Sequence, residues 1–283
     1  MSTAQSAQPA GLAKVTIRAA DTAWSLHWRE LWQHRELLFF LTWRDVKVRY
    51  KQTVLGVAWA ILQPLAIALA LTAFLGRVIH VPPNGLPYPV FAYSGMVIWQ
   101  FFAQALIESS NSVVTNERLI SKVYFPRLFV PVSAVLASLL DFFISLLVLA
   151  LFLAYFRAAP SVTVVLFPLF VVPAVLSSLG VGLWLSALNV KFRDVRYTVN
   201  FLVQFWFLAT PIAYPASVVP ERWRLLYDLN PMVGAVDGFR WALRNQGVFP
   251  AQSLVLSSAI SLALLISGFY YFRRTEDTFA DFI

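Results

Sequence analysis

The chain has 283 residues and a net charge of +8, and 59% of its residues are hydrophobic while only 13% are charged. Soluble domains contain about 45–50% apolar and about 25% charged residues, so a water-soluble fold of this length could not bury so much apolar surface. The absence of cysteine excludes disulfides, thiolate nucleophiles and cysteine-ligated metals, and three scattered histidines argue against any metal site. The basic residues lie at the ends of long apolar runs, a pattern that indicates a membrane protein and not nucleic-acid binding.

The first predicted element is an amphipathic helix over residues 21–42, within a cytoplasmic N-terminal segment over 1–53. Asp21 or Thr22 can cap this helix, and its large apolar side chains recur on one face. Such a helix lies in the membrane interface as a simple anchor, as a dock for a partner protein, or as both. No apolar stretch long enough for a cleaved signal precedes Leu37. The residues predicted to form the interface face are Trp28, Leu31 and Trp32.

Six segments without lysine, arginine or glutamate follow, each long enough to cross about 30 Å of hydrocarbon as a helix. Backbone groups in lipid must find their hydrogen bonds within the segment. The predicted fold is therefore all-α, with a six-helix transmembrane domain over 54–272 and a C-terminal segment over 273–283. The predicted spans are 54–76, 89–107, 128–156, 162–188, 197–215 and 253–272.

Lysine and arginine are unevenly distributed between the two sides of the predicted membrane. Sixteen of the 22 lie in the N-terminal segment, in the loops 108–127 and 189–196, and in the C-terminal segment. The positive-inside rule therefore predicts that both termini are cytoplasmic and that the chain is a multi-pass protein of the cytoplasmic (inner) membrane.

Asp141 is the one charged residue in the six predicted spans, and it lies in the middle of the third. A charge at that depth must be neutralised, paired with another group or placed against a polar cavity. No basic residue within the spans is available as its partner. A structural hydrogen-bonding role and a direct transport role for Asp141 both remain open.

Catalytic machinery is scarce. No glycine is followed by lysine, so the GxxxxGK[ST] phosphate cradle is absent and the chain cannot bind ATP in that manner. Paired acids or a His/Asp cluster, which a membrane enzyme acting on prenyl-linked sugars would usually show, are also missing. We therefore predict no catalytic residue and no cofactor in this chain, although the prenyl-sugar enzyme stays as an alternative.

Aromatic residues are abundant, with 24 Phe, 10 Trp and 10 Tyr. Many belong to interfacial belts, but others lie inside the predicted spans. An aromatic face can stack on the apolar face of a sugar ring, which would suit a path for a sugar polymer, whereas ordinary packing is the alternative. The candidates for lining such a path are Trp59, Trp99, Phe102, Phe205 and Trp206.

Two of the connections between spans contain charged, aromatic or helix-capping residues in patterns that an ordinary loop does not need. The cytoplasmic segment 112–127 is short and polar, and a helix there would offer charges and an aromatic tip to a soluble partner. The residues predicted to make this contact are Glu117, Arg118, Lys122, Tyr124, Phe125 and Arg127.

The second connection, 216–252, contains Asn230-Pro231, which is an N-cap followed by a first-turn proline, and Gly247, which can end the helix. At about 14 residues this helix is too short to span. Helices over 216–245 are predicted either to re-enter the membrane from the far side or to cap its surface. The residues of interest in this segment are Asn230, Pro231, Phe239 and Arg240.

Several motifs, in this order along the chain, resemble the membrane subunits of ATP-binding-cassette (ABC) exporters for polysaccharides and polyol phosphates, in particular O-antigen, capsule and teichoic-acid permeases. The strongest stretch is 44–56, RDVKVRYKQTVLG, which continues through Trp59 to Gln63-Pro64. The others are NERLI at 116–120, FPR at 125–127, FRDV at 192–195, TPI at 210–212, YP at 214–215, NPM at 230–232 and FR at 239–240.

This resemblance implies a homodimer with two copies of a separate ATPase subunit, which would hold ATP and Mg. It implies that 112–127 is the coupling segment, that the N-terminal helix helps to form the ATPase dock, and that 216–245 forms a gate on the far side. The substrate implied is a lipid-linked polysaccharide, with O-antigen first. Alternatives within the superfamily are capsular polysaccharide, teichoic acid, and a small lipid or drug.

Overall fold

The computed structural model describes residues 32–51, 57–76, 85–245 and 247–279. Within these ranges the chain is helical and contains no β-strand. Short 3-10 turns at Val162–Leu166, Ala216–Val218 and Glu276–Thr278 adjoin the helices. The helices are α1 (Arg35–Lys51), α2 (Val57–Phe74), α3 (Tyr88–Thr115), α4 (Glu117–Lys122), α5 (Phe129–Tyr155), α6 (Phe167–Lys191), α7 (Val195–Leu208), α8 (Glu221–Asp228), α9 (Pro231–Arg244) and α10 (Ala251–Thr275).

Four of the predicted spans coincide with helices that are long and apolar enough to cross a membrane. With their adjoining 3-10 turns these are Tyr88–Thr115, Phe129–Tyr155, Val162–Lys191 and Ala251–Thr278. The second predicted span ends later than expected, because α3 continues from residue 107 to Thr115. The expectation of an all-α protein with several membrane helices is confirmed.

The first and fifth predicted spans, 54–76 and 197–215, correspond to shorter helices. Helix α2 has 18 residues and α7 has 14, so α7 covers about 21 Å at 1.5 Å per residue. The predicted fifth span is too long at its C-terminal end, since α7 stops at Leu208 and residues 209–215 form turns. Pro211 lies in these turns, and it has no N–H to donate to a continuing helix.

Helix α1 ends later than predicted. The expected boundary was residue 42, but the helix continues to Lys51 and packs along α5. No glycine or proline interrupts the sequence between Arg35 and Lys51, so the extension needs only the tertiary contact that favours it. Trp28 and Leu31 lie outside the described residues. Trp32 is exposed, with the guanidinium of Arg35 5.4 Å from its ring centroid.

Helix α3 is the centre of the bundle and is buried along most of its length between α5 and α6. Helix α6 packs in turn on α10, and this contact depends on small residues. A Cβ atom added to Gly268 would lie 2.1 Å from the carbonyl oxygen of Gly180, so the two backbones are in direct contact. The hydroxyls of Ser177 and Ser261 are 2.8 Å apart across the same contact.

Buried apolar side chains form two clusters. The larger one fills the middle of the bundle and its α9 end, the end at which α9 packs against α3, α6 and α10. The smaller one lies at the opposite end, the α4 end, where α1, α4, α5, α6 and α10 meet. The bundle therefore has two separate ends. The α4 end contains the connection 112–127, and the α9 end contains the connection 216–252.

Candidate coupling and gate sites at the two ends of the bundle

The α4 end presents a short charged helix on a buried apolar base. Helix α4 follows α3 after a single residue, Asn116, whose backbone N–H and side-chain amide both donate to the carbonyl of Ser112, at 3.1 and 2.8 Å. Ile120 and Phe125 are buried beneath α4. The other side carries the exposed side chains of Glu117, Arg118, Lys122 and Tyr124, the last of them 86% exposed.

Of the six residues predicted to contact a partner here, four are thus available to one. Phe125 instead holds α4 on the bundle, and the guanidinium of Arg127 is half-buried and donates to the carbonyl of Glu276. Their burial explains how such a short helix stays in place: isolated helices of this length are not stable without tertiary contacts.

Residues 276–279, which follow α10, also belong to the α4 end. Their part in this end was not predicted from the sequence. Glu276 forms an ion pair with Arg273 at 2.5 Å, and the ring of Phe279 packs against that of Phe272 with centroids 5.3 Å apart. Phe279 lies seven residues after Phe272, so it continues the apolar face of the last helix beyond its charged end. That spacing is the signal that could have found it.

Asp141 has a basic partner, and the partner comes from α1. The side chains of Arg49 and Tyr50 both donate to the carboxylate of Asp141. Arg49 also lies 3.7 Å from Glu108, which accepts a hydrogen bond from Gln104 at 2.9 Å. Arg49 lies outside the predicted spans and was therefore not expected as the partner. It reaches Asp141 because α1 is longer than predicted and runs along α5. The contact favours the structural role for Asp141.

Replacing Arg49 by leucine is expected to destabilise the protein by about 2 kcal/mol, because Asp141 and Glu108 would lose the cation they share at a half-buried site. Asp141→Asn should have a smaller effect, since the amide oxygen still accepts from Tyr50. The measurement is the thermal midpoint of the purified protein in detergent. Arg44→Leu is the matched control, since Arg44 is on the same helix, is more exposed and pairs with its neighbour Asp45. Equal midpoints for Arg49→Leu and Arg44→Leu would contradict the prediction.

At the α9 end, the side chain of Arg240 joins three parts of the chain. It is 1% exposed, and its Nη2 donates to the carbonyls of Phe91 at 3.1 Å and Ile212 at 2.7 Å, while Nη1 donates to that of Pro211. The guanidinium lies 3.5 Å from the ring centroid of Phe91. Gly95 provides the space, because a Cβ there would be 2.4 Å from Nη2. Arg240 therefore fixes the turn after α7 against the first turn of α3.

Asn230 caps α9 as predicted and also holds the end of α7. Its Oδ1 accepts from the backbone N–H of Met232 at 3.0 Å and from the indole of Trp206 at 2.8 Å. Its Nδ2 donates to the carbonyl of Ala209 at 2.9 Å and to the hydroxyl of Thr210 at 3.1 Å. The side-chain amide of Asn230 therefore makes four hydrogen bonds, and all four partners lie at the junction between α7 and α9.

The remaining features of α9 agree in part with the prediction. Pro231 occupies the first turn, and the ring of Phe239 stacks on that of Phe167 with centroids 4.1 Å apart. The prediction that this helix ends at Gly247 is wrong. The helix ends at Arg244, and Asn245 adopts the left-handed conformation with φ of 53°, which asparagine tolerates better than most residues.

The five aromatic candidates for a sugar path divide into two groups. Trp59 and Phe205 are 61% and 58% exposed, so they face outward from the chain. Trp99 and Phe102 are buried, and their rings pack with those of Phe207 and Trp206 respectively, which joins α3 to α7. Trp206 is half-buried and bound to Asn230. Packing accounts for Trp99 and Phe102, and a lining role stays a prediction for Trp59 and Phe205.

The model of the ABC-2 type transporter family matches residues 36–243, which include both the α4 end and the α9 end. The chain belongs to this family. Its curated relatives include the O-antigen export system permease protein RfbA of Myxococcus xanthus, 33% identical over 262 residues, which cover 90% of this chain and 98% of that protein. RfbA of Klebsiella pneumoniae is 30% identical over 88% of this chain and 95% of its own length.

A more distant relative is the polysialic acid transport protein KpsM of Escherichia coli, 25% identical over 83% of this chain and 91% of its own length. The family membership inferred from the ordered motifs is confirmed. This chain is thus the membrane component of an ABC transporter, and like its relatives it is a multi-pass permease.

Proposed function

We propose that this chain forms the transmembrane channel of an exporter for a lipid-linked polysaccharide, O-antigen in the first instance, driven by ATP hydrolysis on a separate subunit. The observation that carries the proposal is the similarity to two O-antigen export permeases over nearly the full length of each. Export of a capsular polysaccharide is the second candidate, and the similarity to polysialic acid transport proteins favours it.

The proposed assembly is a homodimer with two ATPase subunits, which would hold ATP and Mg. Each copy would cross the membrane six times, with α2, and with α7 together with the turns over 209–215, adding to the four longer helices, and both termini would be cytoplasmic. The exposed apolar side chains of α2 and α7, Leu69, Phe74, Phe201 and Leu208 among them, can face lipid or a second copy of the chain. The channel would then run between two copies and not through one.

Deleting the gene and separating the surface glycans on a gel tests the substrate class. Loss of the long polymer ladder, with accumulation of lipid-linked polymer on the cytoplasmic side, is expected. A normal ladder would instead favour a permease for a small lipid or drug. Composition analysis of the missing polymer separates O-antigen from capsule and from teichoic acid.

Charge reversal on α4 is expected to uncouple ATP hydrolysis from export. Glu117→Lys or Arg118→Glu changes only exposed side chains of the proposed ATPase contact, so folding should be preserved. Export should fall about tenfold or more, because like charges placed across a docking surface oppose association. Surface glycan and the ATPase activity of the purified complex are measured side by side.

The matched control is Arg222→Glu, since Arg222 is an exposed arginine at the α9 end. It should behave as the unmodified chain does in both assays. Unchanged export in both α4 variants would contradict the coupling role of this helix.

A further inference from the structure

The α9 end contains a cavity of about 280 Å³ that borders the Arg240 contacts, since Phe91 is one of the residues that line it. It lies between α8, α9 and the first turn of α10, and exposed residues such as Val248 and Gln252 form part of its rim. The cavity is therefore open to the surface at the end of the bundle that we propose to face away from the cytoplasm.

The polar side of this cavity is formed by two carboxylates and one arginine. Asp228 is 3% exposed and accepts a hydrogen bond from Ser253 at 2.8 Å. Asp237 lines the same space, and desolvation raises its pKa to about 6, while the charges of Arg240 and Arg224 act in the opposite direction. Arg224 also lines the cavity. With two carboxylates and one guanidinium, the site offers both acceptors and donors of hydrogen bonds.

The other side of the cavity is aromatic. Trp241 and Phe249 both line it, and their rings meet edge to face with centroids 4.8 Å apart. Phe249 is 39% exposed, so part of this surface is uncovered. A site with an apolar aromatic wall and a few placed polar groups is the usual composition of a small-molecule pocket.

A sugar ring has the same two-sided character. Its C–H faces are apolar and suit an aromatic wall, whereas its hydroxyls can donate to carboxylates and accept from a guanidinium. The volume limits the ligand to a small one, since pockets for drug-sized molecules measure roughly 300–1,000 Å³. The cavity thus has room for one sugar ring with its hydroxyls and not for a folded chain.

We propose that this cavity binds a single sugar unit of the exported polysaccharide as it leaves the channel, which rests on the proposed function given above. Binding one ring at a time holds the polymer only weakly, so successive units can occupy the site as the chain moves outward. Trp241 provides the stacking surface, and Asp228 and Asp237 accept from the hydroxyls.

The absence of cysteine from the natural sequence allows a direct test. A single reporter is introduced as Gln252→Cys at the rim, and the complex of this chain with its ATPase is reconstituted in lipid nanodiscs. The rate of alkylation by a membrane-impermeant maleimide is measured with and without short oligosaccharides, cut from the surface glycan of the cells that carry the chain. Val162→Cys is the matched control, because Val162 is exposed at the same end and outside the cavity.

At a fragment concentration about ten times the Kd, about nine-tenths of the sites are occupied, so alkylation of the Gln252→Cys reporter should slow about tenfold. The Val162→Cys rate should not change. Adding Trp241→Ala to the reporter should remove the protection, whereas Trp241→Phe should keep part of it. Co-elution of each variant with the ATPase shows that the variants are assembled.

Equal alkylation rates with and without the fragments, for a complex that exports polymer on addition of ATP when it is reconstituted in closed proteoliposomes, would overturn the sugar site and leave the proposed function intact. Failure of the unmodified complex to export polysaccharide would overturn the proposed function itself. Protection that persists unchanged in Trp241→Ala would also count against this cavity as the site.

Discussion

Replacing Arg240 by methionine is expected to destabilise the protein by about 3–5 kcal/mol and to abolish export. The carbonyl oxygens of Phe91, Pro211 and Ile212 would each lose a charged donor in a buried site, and each unsatisfied buried acceptor costs about 1–3 kcal/mol, part of which relaxation recovers. The turn after α7 would then lose this bridge to the first turn of α3 and keep the hydrogen bond from the hydroxyl of Tyr88 to the carbonyl of Ala213. The loss should appear as a lower thermal midpoint and less dimer on size-exclusion chromatography.

Lysine at the same position separates charge from geometry. Arg240→Lys keeps the positive charge, but an ammonium cannot reproduce the planar fork that reaches three carbonyls and lies over the ring of Phe91. We expect this variant to be destabilised nearly as much as Arg240→Met. Arg222→Met, an exposed arginine at the same end, should be close to the unmodified protein. A lysine variant of normal stability would show that charge alone is sufficient.

The second large effect is expected at the contact between α6 and α10. Valine at position 268 would place its Cβ 2.1 Å from the carbonyl oxygen of Gly180, and backbone cannot move aside as a flexible side chain can. The two helices must therefore separate, and a loss of about 3 kcal/mol is expected for overpacking of this kind.

The matched control is Ala259→Val, which introduces the same side chain at an exposed position of α10. The fraction of monodisperse protein after heating is the measurement. Gly268→Val should lose most of it at a temperature that leaves Ala259→Val intact. Similar curves for the two variants would show that the close approach of the helices contributes little to stability.

The long apolar helices were predictable because their signal is local. A run of about 20 apolar residues satisfies its own backbone and needs no neighbour to define it. The N-cap of α9 was predictable for the same reason, since Asn230 and Pro231 act within one turn. The charged, exposed face of α4 also followed from composition alone.

Most of the features that the sequence did not reveal depend on contacts between distant segments. Nothing near Arg240 indicates that its guanidinium is fully buried, since an arginine on an amphipathic helix usually faces water. The end of α1 depends on its packing along α5, and Asp141 received its partner from there. Helix α7 stops before Pro211, which cannot donate to a continuing helix, and the turn that follows is fixed by Asn230 and Arg240, which lie 20 or more residues further along the chain.

Helix α3 is a single unbroken element that begins beside Arg240 and ends one residue before α4. From Phe91 to Thr115 it is about 36 Å long at 1.5 Å per residue. If a straight helix of that length tilts by about 5° about Thr115, Phe91 at its other end moves by about 3 Å. A hydrogen bond cannot lengthen by that much and would break. In the proposed coupling role of α4, a push by the ATPase subunit on Glu117 would reach the far side by such a tilt, which would break the hydrogen bond between Arg240 and the carbonyl of Phe91.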